Sequence, residues 1–181
     1  MKKNINFLTQ AAVIAACYAV LTMAMWEFSS LAIQCRVSEG LCVLALFTDA
    51  AVPGLFIGCL IANFMSGTWV DIVFGSLATL IAAYITRVIA KKCLKSTQTT
   101  MMTKVLIPLP TVLVNTLVIP FVLYFGYGVT SMGNATTMAA VLGLIALSIF
   151  IGEAISCYVV GIPLMMAVKK FEKHLPFSKE E

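Results

Sequence analysis

The chain has 181 residues, of which 61% are hydrophobic and 11% are charged, and its mean hydropathy is +1.01. This composition excludes an ordinary soluble globular domain and predicts an integral membrane protein. The net charge of +4 does not indicate nucleic-acid binding, because the basic residues cluster at the ends of apolar runs, where membrane orientation requires them. We expect a single helical membrane domain over residues 1–181.

The first apolar run, Phe7 to Trp26, is long enough to cross about 30 Å of hydrocarbon as a helix, which takes roughly 20 residues. No small-residue cleavage site follows it, so we interpret it as a retained span and not as a signal peptide. Alanines at every fourth position, Ala11, Ala15 and Ala19, predict a smooth face that another helix can approach closely. That helix could belong to the same bundle or to a second protein.

The second apolar region, Leu41 to Val70, contains one charged residue, Asp49. As a single helix it would be about 45 Å long at 1.5 Å per residue, which is too long for one comfortable span. We expect a break at "TDAAVP", where Asp49 can cap a helix start and Pro53 suits a first helical turn. The sequence therefore predicts two short helices, over residues 38–48 and 51–66.

The other predicted helices cover residues 7–26, 71–92, 104–127 and 137–170. Basic residues stand before the first helix, around the linker "KSTQTT" and near the end of the chain. The positive-inside rule places all three basic clusters in the cytoplasm, so an even number of spans must separate each cluster from the next. The prediction is an all-α bundle of six transmembrane helices with both termini cytoplasmic.

Arg36 is the one basic residue that this topology places outside, in the connection "IQCRVSEGL". Positive charge on that side works against the orientation rule and needs an explanation. Two explanations are open at this point. The guanidinium can form a local ion pair, with Glu39 or Glu27 as its partner, or it can contribute to a binding site.

Several polar residues fall within or beside the predicted spans, where an ionisable group costs about 2.5–3.5 kcal/mol on insertion scales. Glu153 and Asn115 lie at similar depth in the last two helices, and a hydrogen bond between them is the alternative to a ligand role. Asp71 can instead complement the dipole of a helix start. We predict a pocket that is open to the outside and lined by Gln34, Arg36, Glu39, Asn63, Asp71, Asn115, Tyr124 and Glu153.

Carboxylates dominate this set of residues. Because ionised Asp and Glu side chains only accept hydrogen bonds, the pocket suits a polar ligand that carries N–H donors or positive charge. We expect Trp26, Trp69, Tyr124 and Tyr127 to cover the mouth of this pocket. For the two tryptophans, an aromatic belt at the membrane interface is the alternative.

Sequence motifs for other functions are missing. The chain contains no GxxxxGK[ST] loop for ATP and no HExxH for zinc, and its cysteines lack metal-ligand spacing, although Cys35 and Cys42 could pair outside. We expect no enzyme activity, no cofactor and no metal. A small binding protein without an energy source is typical of a subunit that relies on a partner for energy.

Four segments in this order resemble the QueT family: "IQCRVSEGL", "PGLFIGCLIANFMSG", "DIVFGSLATLIAAYITR" and "GEAISCYVVGIPL". The resemblance runs from about Ala11 to Val168. It implies a substrate-binding S component of an energy-coupling factor transporter in a bacterial cell membrane, which docks on a membrane coupling protein and two ATPase subunits that consume the ATP. It further implies that the alanine stripe Ala11, Ala15 and Ala19 contacts the coupling protein.

The ligand implied by the resemblance is the queuosine precursor 7-aminomethyl-7-deazaguanine. Its amidine-like edge suits a bidentate pair with one carboxylate, and its aminomethyl cation suits another. We expect Glu39 and Glu153 to be the principal ligand carboxylates, with Asn115 orienting Glu153. Two alternatives remain open: an S component for another vitamin or nucleobase, and a membrane scaffold in which the polar residues only hold helices together.

Overall fold

The computed structural model describes residues 2–25, 36–66, 68–93 and 100–171. These residues form helices joined by short connections, and this part of the chain contains no β-strand. The predictions made for Trp26, Glu27, Gln34 and Cys35 concern residues outside these ranges.

The described residues form six helical segments. The first three are α1 (Lys2–Ala24), the 3₁₀-helix α2 (Val37–Leu46) and α3 (Ala51–Ser66). The fourth, α4, begins with a π-helical turn and continues as an α-helix (Asp71–Gly75, Ser76–Cys93). The last two are interrupted helices, α5 (Met101–Leu106, Leu109–Phe121 and the π-helical Val122–Gly126) and α6 (Met138–Ala154, the π-helical Ile155–Val160 and Gly161–Phe171).

Four of these helices are long and apolar enough to cross a membrane: Asn4–Ala24, Asp71–Lys92, Met101–Gly126 and Met138–Phe171. They carry exposed large apolar side chains, such as Leu8, Leu117 and Val159, that lipid tails can cover. The remaining two helices, α2 and α3, are apolar but shorter. The composition and the helix lengths together describe a multi-pass membrane protein.

The break predicted at "TDAAVP" is present between α2 and α3, and Pro53 lies in the first turn of α3. The capping group at this turn differs from the predicted one. The hydroxyl of Thr48 accepts a hydrogen bond from the backbone N–H of Ala50 at 3.2 Å. The Asp49 carboxylate is instead paired with Arg87 and Lys91 of α4.

The alanine stripe of α1 is used inside the bundle. A Cβ added at Gly58 of α3 would lie 2.8 Å from the carbonyl oxygen of Ala15, and one at Gly54 would lie 2.9 Å from that of Ala11. Ala11, Ala15 and Ala19 are all buried. Of the two uses that the sequence left open, the structure shows the contact within the bundle.

Contacts at the helix ends show that α2 and α4 run side by side in the same direction and that α5 runs opposite to them. At one end, which we call the Arg36 end, the start of α2 meets the start of α4 through Arg36 and Asp71, and Tyr127 after α5 reaches the same carboxylate. At the opposite end, the Asp49 end, Asp49 meets Arg87 near the end of α4. Residues Ser38 to Leu46 of α2 are buried, so α2 is enclosed by the other helices.

Candidate functional site

An ion pair lies at the Arg36 end of the bundle. Arg36 Nη2 is 3.3 Å from Asp71 Oδ2, and the Tyr127 hydroxyl donates to the same oxygen at 3.4 Å. The sequence left open a local ion pair of Arg36 with Glu39 or Glu27; an ion pair is present, but its partner is Asp71 and not Glu39. The arginine pairs with Asp71 because α2 and α4 begin side by side, whereas the Glu39 carboxyl points to α1.

Asn63 holds the start of α4 in place. Its Nδ2 donates to the backbone carbonyl oxygen of Asp71 at 3.0 Å and lies 3.4 Å from the Ser76 hydroxyl. Gly75 completes this turn, since a Cβ there would collide with the Asp71 carboxylate. Asn63, which we predicted to line the pocket, therefore positions Asp71.

Glu39 lies in the first turn of α2 and is 2% exposed. The Tyr18 hydroxyl donates to its Oε1 atom, and the Thr79 hydroxyl donates to the same oxygen at 3.4 Å. Tyr18 belongs to α1 and Thr79 to α4, so three helices meet at this carboxyl.

Glu153 on α6 is 5% exposed. Asn115 Nδ2 donates to Glu153 Oε1 at 2.8 Å, and the Asn115 side chain also lies near the Glu39 carboxyl. Cys157 Sγ lies 3.7 Å from Glu153 Oε2 and 3.6 Å from the backbone oxygen of Glu39. The structure thus brings together the two acids that we expected to be the principal ligand carboxylates, with Asn115 between them. We call them the carboxyl pair.

Acidic side chains outnumber basic ones in the cluster that contains the carboxyl pair. Arg36 is the cation whose charge acts on both carboxyls, but its guanidinium is already paired with Asp71. Within the described part of this cluster, three carboxyls therefore face one guanidinium. Two buried like charges repel strongly where the dielectric constant is low, so a cation placed between them would be stabilised. The arrangement can hold a ligand that brings positive charge and N–H donors.

Three residues of the site were missed in the sequence: Tyr18, Thr79 and Cys157. For Tyr18 a signal was present, because Gln10, Tyr18 and Thr22 recur at multiples of four and share one face of α1. Thr22 also reaches α2, where its hydroxyl donates to Ser38 Oγ at 2.7 Å. Because the regular alanine stripe lies beside this polar face of α1, the sequence pattern indicated only a packing surface.

Trp69 is 70% exposed, which agrees with both places that the sequence left open for it, the pocket mouth and the aromatic belt. The Tyr124 ring packs edge-on against Phe125 at 5.1 Å and against the apolar residues of α6. Tyr124 is therefore a correction to the predicted pocket. The tyrosine that reaches the polar cluster is Tyr127, because it lies just beyond the π-helical end of α5.

The Asp49 end carries a second polar link between α2 and α4. Arg87 Nε lies 2.8 Å from Asp49 Oδ1, and Arg87 Nη1 donates to the backbone oxygens of Ala45 and Leu46, the last residues of α2, at 3.3 and 3.0 Å. Hydrogen bonds from Arg87 and Lys91 lower the pKa of Asp49 from 3.8 to about 2. Together with the Arg36–Asp71 pair, this link attaches both ends of α2 to α4.

A helical bundle with apolar outer faces and acidic side chains buried between its helices defines a multi-pass membrane protein with an internal polar site. The chain belongs to the QueT transporter family, whose family model matches residues 8–170. This confirms the family resemblance found in the sequence, and the family is one of transporters and not of enzymes.

A curated relative supports the same assignment. Over 84 residues, 45% of this chain, the sequence is 42% identical to the queuosine precursor transporter QueT of Lactococcus lactis subsp. cremoris (strain MG1363). The match spans 50% of the length of that relative. No solved structure matches the chain.

Proposed function

We propose that this protein is the substrate-binding S component of an energy-coupling factor importer and that it captures the queuosine precursor 7-aminomethyl-7-deazaguanine. The observation that carries the proposal is the carboxyl pair, Glu39 and Glu153, buried between α2 and α6, with Asn115 hydrogen-bonded to Glu153 and near Glu39. Membership of the QueT transporter family supports import of a related small molecule.

The carboxyl pair can meet both kinds of donor on this ligand. Each ionised carboxylate offers about four acceptor positions, so the hydrogen bonds from Tyr18, Thr79 and Asn115 leave capacity for a ligand. One carboxylate would take the two parallel N–H groups of the amidine-like edge, and the other would take the aminomethyl cation. The Arg36–Asp71 pair would stand between this site and the outside.

The proposed orientation places the Asp49 end in the cytoplasm. Basic residues stand there at the end of α4, the start of α5 and the end of α6: Lys91, Lys92, Lys104, Lys169 and Lys170. The 10 residues of α2 extend about 20 Å at roughly 2.0 Å per residue, which is less than the hydrocarbon thickness of about 30 Å. Arg36 would then lie below the outer surface of a bacterial plasma membrane, with both termini on the inner side.

We also propose that partner subunits supply the energy for transport. Transport would require a membrane coupling protein and two ATPase subunits, which bind and hydrolyse the ATP. The family resemblance supports these partners. Since Ala11, Ala15 and Ala19 are buried against other helices, we expect the coupling protein to contact neighbouring exposed positions of α1, which include Ala12 and Ala16.

Native mass spectrometry of the purified chain tests the proposal. The protein would be exposed to a mixture of deazapurines and vitamins, and separately co-expressed with ATPase and coupling subunits. We expect retention of 7-aminomethyl-7-deazaguanine and co-purification with those subunits. Retention of a vitamin instead would reassign the substrate, and retention of no compound together with no co-purification would favour a membrane scaffold.

A further inference from the structure

Three oxygen atoms on α5 are buried without a hydrogen-bond partner among the described residues: Thr111 Oγ1, Asn115 Oδ1 and Thr116 Oγ1. The first two share one face of the helix and belong to residues that are 1% and 3% exposed. A buried polar atom without a partner costs about 1–3 kcal/mol, and native proteins contain few of them. Both atoms therefore indicate that a donor is missing at this place.

The two oxygens lie on the face of α5 that meets the carboxyl pair. Thr111 and Asn115 are one turn apart, about 6 Å along the helix axis, and residues with this spacing share a face. Asn115 Nδ2 donates to Glu153, which shows where that face points. The same bond fixes the orientation of the carboxamide, because the nitrogen must face the carboxylate, and Oδ1 is left as an acceptor.

We propose that Thr111 and Asn115 form an acceptor edge that determines specificity for a neutral N–H donor of the ligand. This inference rests on the proposed function, in which the carboxyl pair takes the amidine-like edge and the cation. The exocyclic amino group of a 2-aminopurine-like ring has two hydrogens. One of them pairs with a carboxylate, and the second is directed at the acceptor edge. The ligand class is then a cationic heterocycle that carries an exocyclic amino group.

Thr111 allows a clean test because valine has the shape of threonine without the hydroxyl. The Thr111→Val change removes a buried oxygen that has no partner in the described part of the chain, so it should leave folding intact or improve it. Thr116→Val is the matched control. Thr116 Oγ1 is also buried and without a described partner, but its position is rotated by about 100° from Asn115 around the helix.

The experiment measures two dissociation constants for each variant by calorimetry, one for 7-aminomethyl-7-deazaguanine and one for its analogue without the exocyclic amino group. We expect the wild type to prefer the amino compound and Thr111→Val to reduce this preference by about tenfold, the equivalent of one hydrogen bond. Thr116→Val should keep the wild-type preference, and Thr111→Ser, which retains the hydroxyl, should keep most of it.

Four results would overturn the inference. If the wild type binds both compounds equally, or if Thr111→Val keeps the full preference, the acceptor edge does not contact the ligand, and an ordered water is the partner of these oxygens. If Thr116→Val lowers the preference for the amino compound as much as Thr111→Val does, the loss of preference is not specific to the face of α5 that carries Thr111 and Asn115. Failure of the wild type to bind either compound would overturn the proposed function, and this inference with it.

Discussion

Asn115 on α5 donates a 2.8 Å hydrogen bond to Glu153 on α6 in the buried interior of the bundle. The sequence left two roles open for these residues, a helix-to-helix hydrogen bond and a ligand contact, and the bond is present. It does not exclude the second role, because the Glu153 carboxylate retains acceptor capacity and the Glu39 carboxyl lies near the same carboxamide. The following predictions separate residues that bind from residues that only hold the helices.

Glu153→Gln should weaken binding of 7-aminomethyl-7-deazaguanine by at least about 1.5 kcal/mol, because a charge-assisted hydrogen bond is lost while the size of the side chain is kept. Titration calorimetry on the purified protein measures this change. Asp49→Asn is the control, since it also removes one carboxylate but at the opposite end of α2. Equal affinities of the wild type and Glu153→Gln would remove Glu153 from the site.

Tyr18→Phe should lower the free energy of unfolding by about 1.5–3 kcal/mol, because the buried Glu39 carboxyl loses a donor. Thermal denaturation in detergent, monitored by loss of monodisperse protein, gives the comparison. Tyr84→Phe is the matched change on a tyrosine that is 62% exposed and should have little effect. The role assigned to Tyr18 would be wrong if both variants denatured at the wild-type temperature.

Gly58→Ala should destabilise the contact between α1 and α3 by about 1–3 kcal/mol, because the added methyl group would lie 2.8 Å from the carbonyl oxygen of Ala15. Gly143→Ala serves as its control, since no atom lies within 4 Å of a Cβ at that position. That change should be neutral or stabilising by up to about 1 kcal/mol through helix propensity. The same denaturation assay applies, and equal behaviour of the two variants would contradict the close packing.

Stability should depend on pH through Asp49. Its pKa is lowered from 3.8 to about 2, so the carboxylate stabilises the folded state above its unfolded pKa, and this contribution is lost as the pH falls from about 4 to about 2. The contribution is roughly 1 kcal/mol or less, because the Asp49 side chain is 45% exposed and solvent screens the pair. Asp49→Asn should be less stable at neutral pH and should lose this part of the acid dependence. Parallel denaturation curves of both proteins from pH 5 to pH 2 would contradict the assignment.

The lengths of the helices and the break before α3 follow from local sequence properties. Apolar run lengths, the charge at Asp49 and the position of Pro53 are sufficient to place them. The partner of Arg36 was beyond such reasoning, because Asp71 is 35 residues away and only the packing of α2 against α4 brings them together. The π-helical turns of α4, α5 and α6 could not be predicted either, because a shift in backbone hydrogen bonding does not change the spacing of apolar residues in a recognisable way.

At the site, too, some residues could be predicted from the local sequence and others only from the packing of the helices. Glu39, Asn115 and Glu153 could be selected because charged and amide groups are costly in hydrocarbon. Tyr18 and Thr79 could not be selected on that basis, since hydroxyl groups are common in membrane helices and gain a role only through the carboxyl that they face.

The central claim is that the carboxyl pair binds a cation, and one comparison tests it most directly. The affinity of the purified protein would be measured for 7-aminomethyl-7-deazaguanine and for 7-methyl-7-deazaguanine, which differs by the absence of the amino group. We predict that the cationic compound binds at least about tenfold more tightly, as expected when a charged hydrogen bond forms in a buried site. Equal binding of the two compounds, or tighter binding of the neutral one, would contradict the claim.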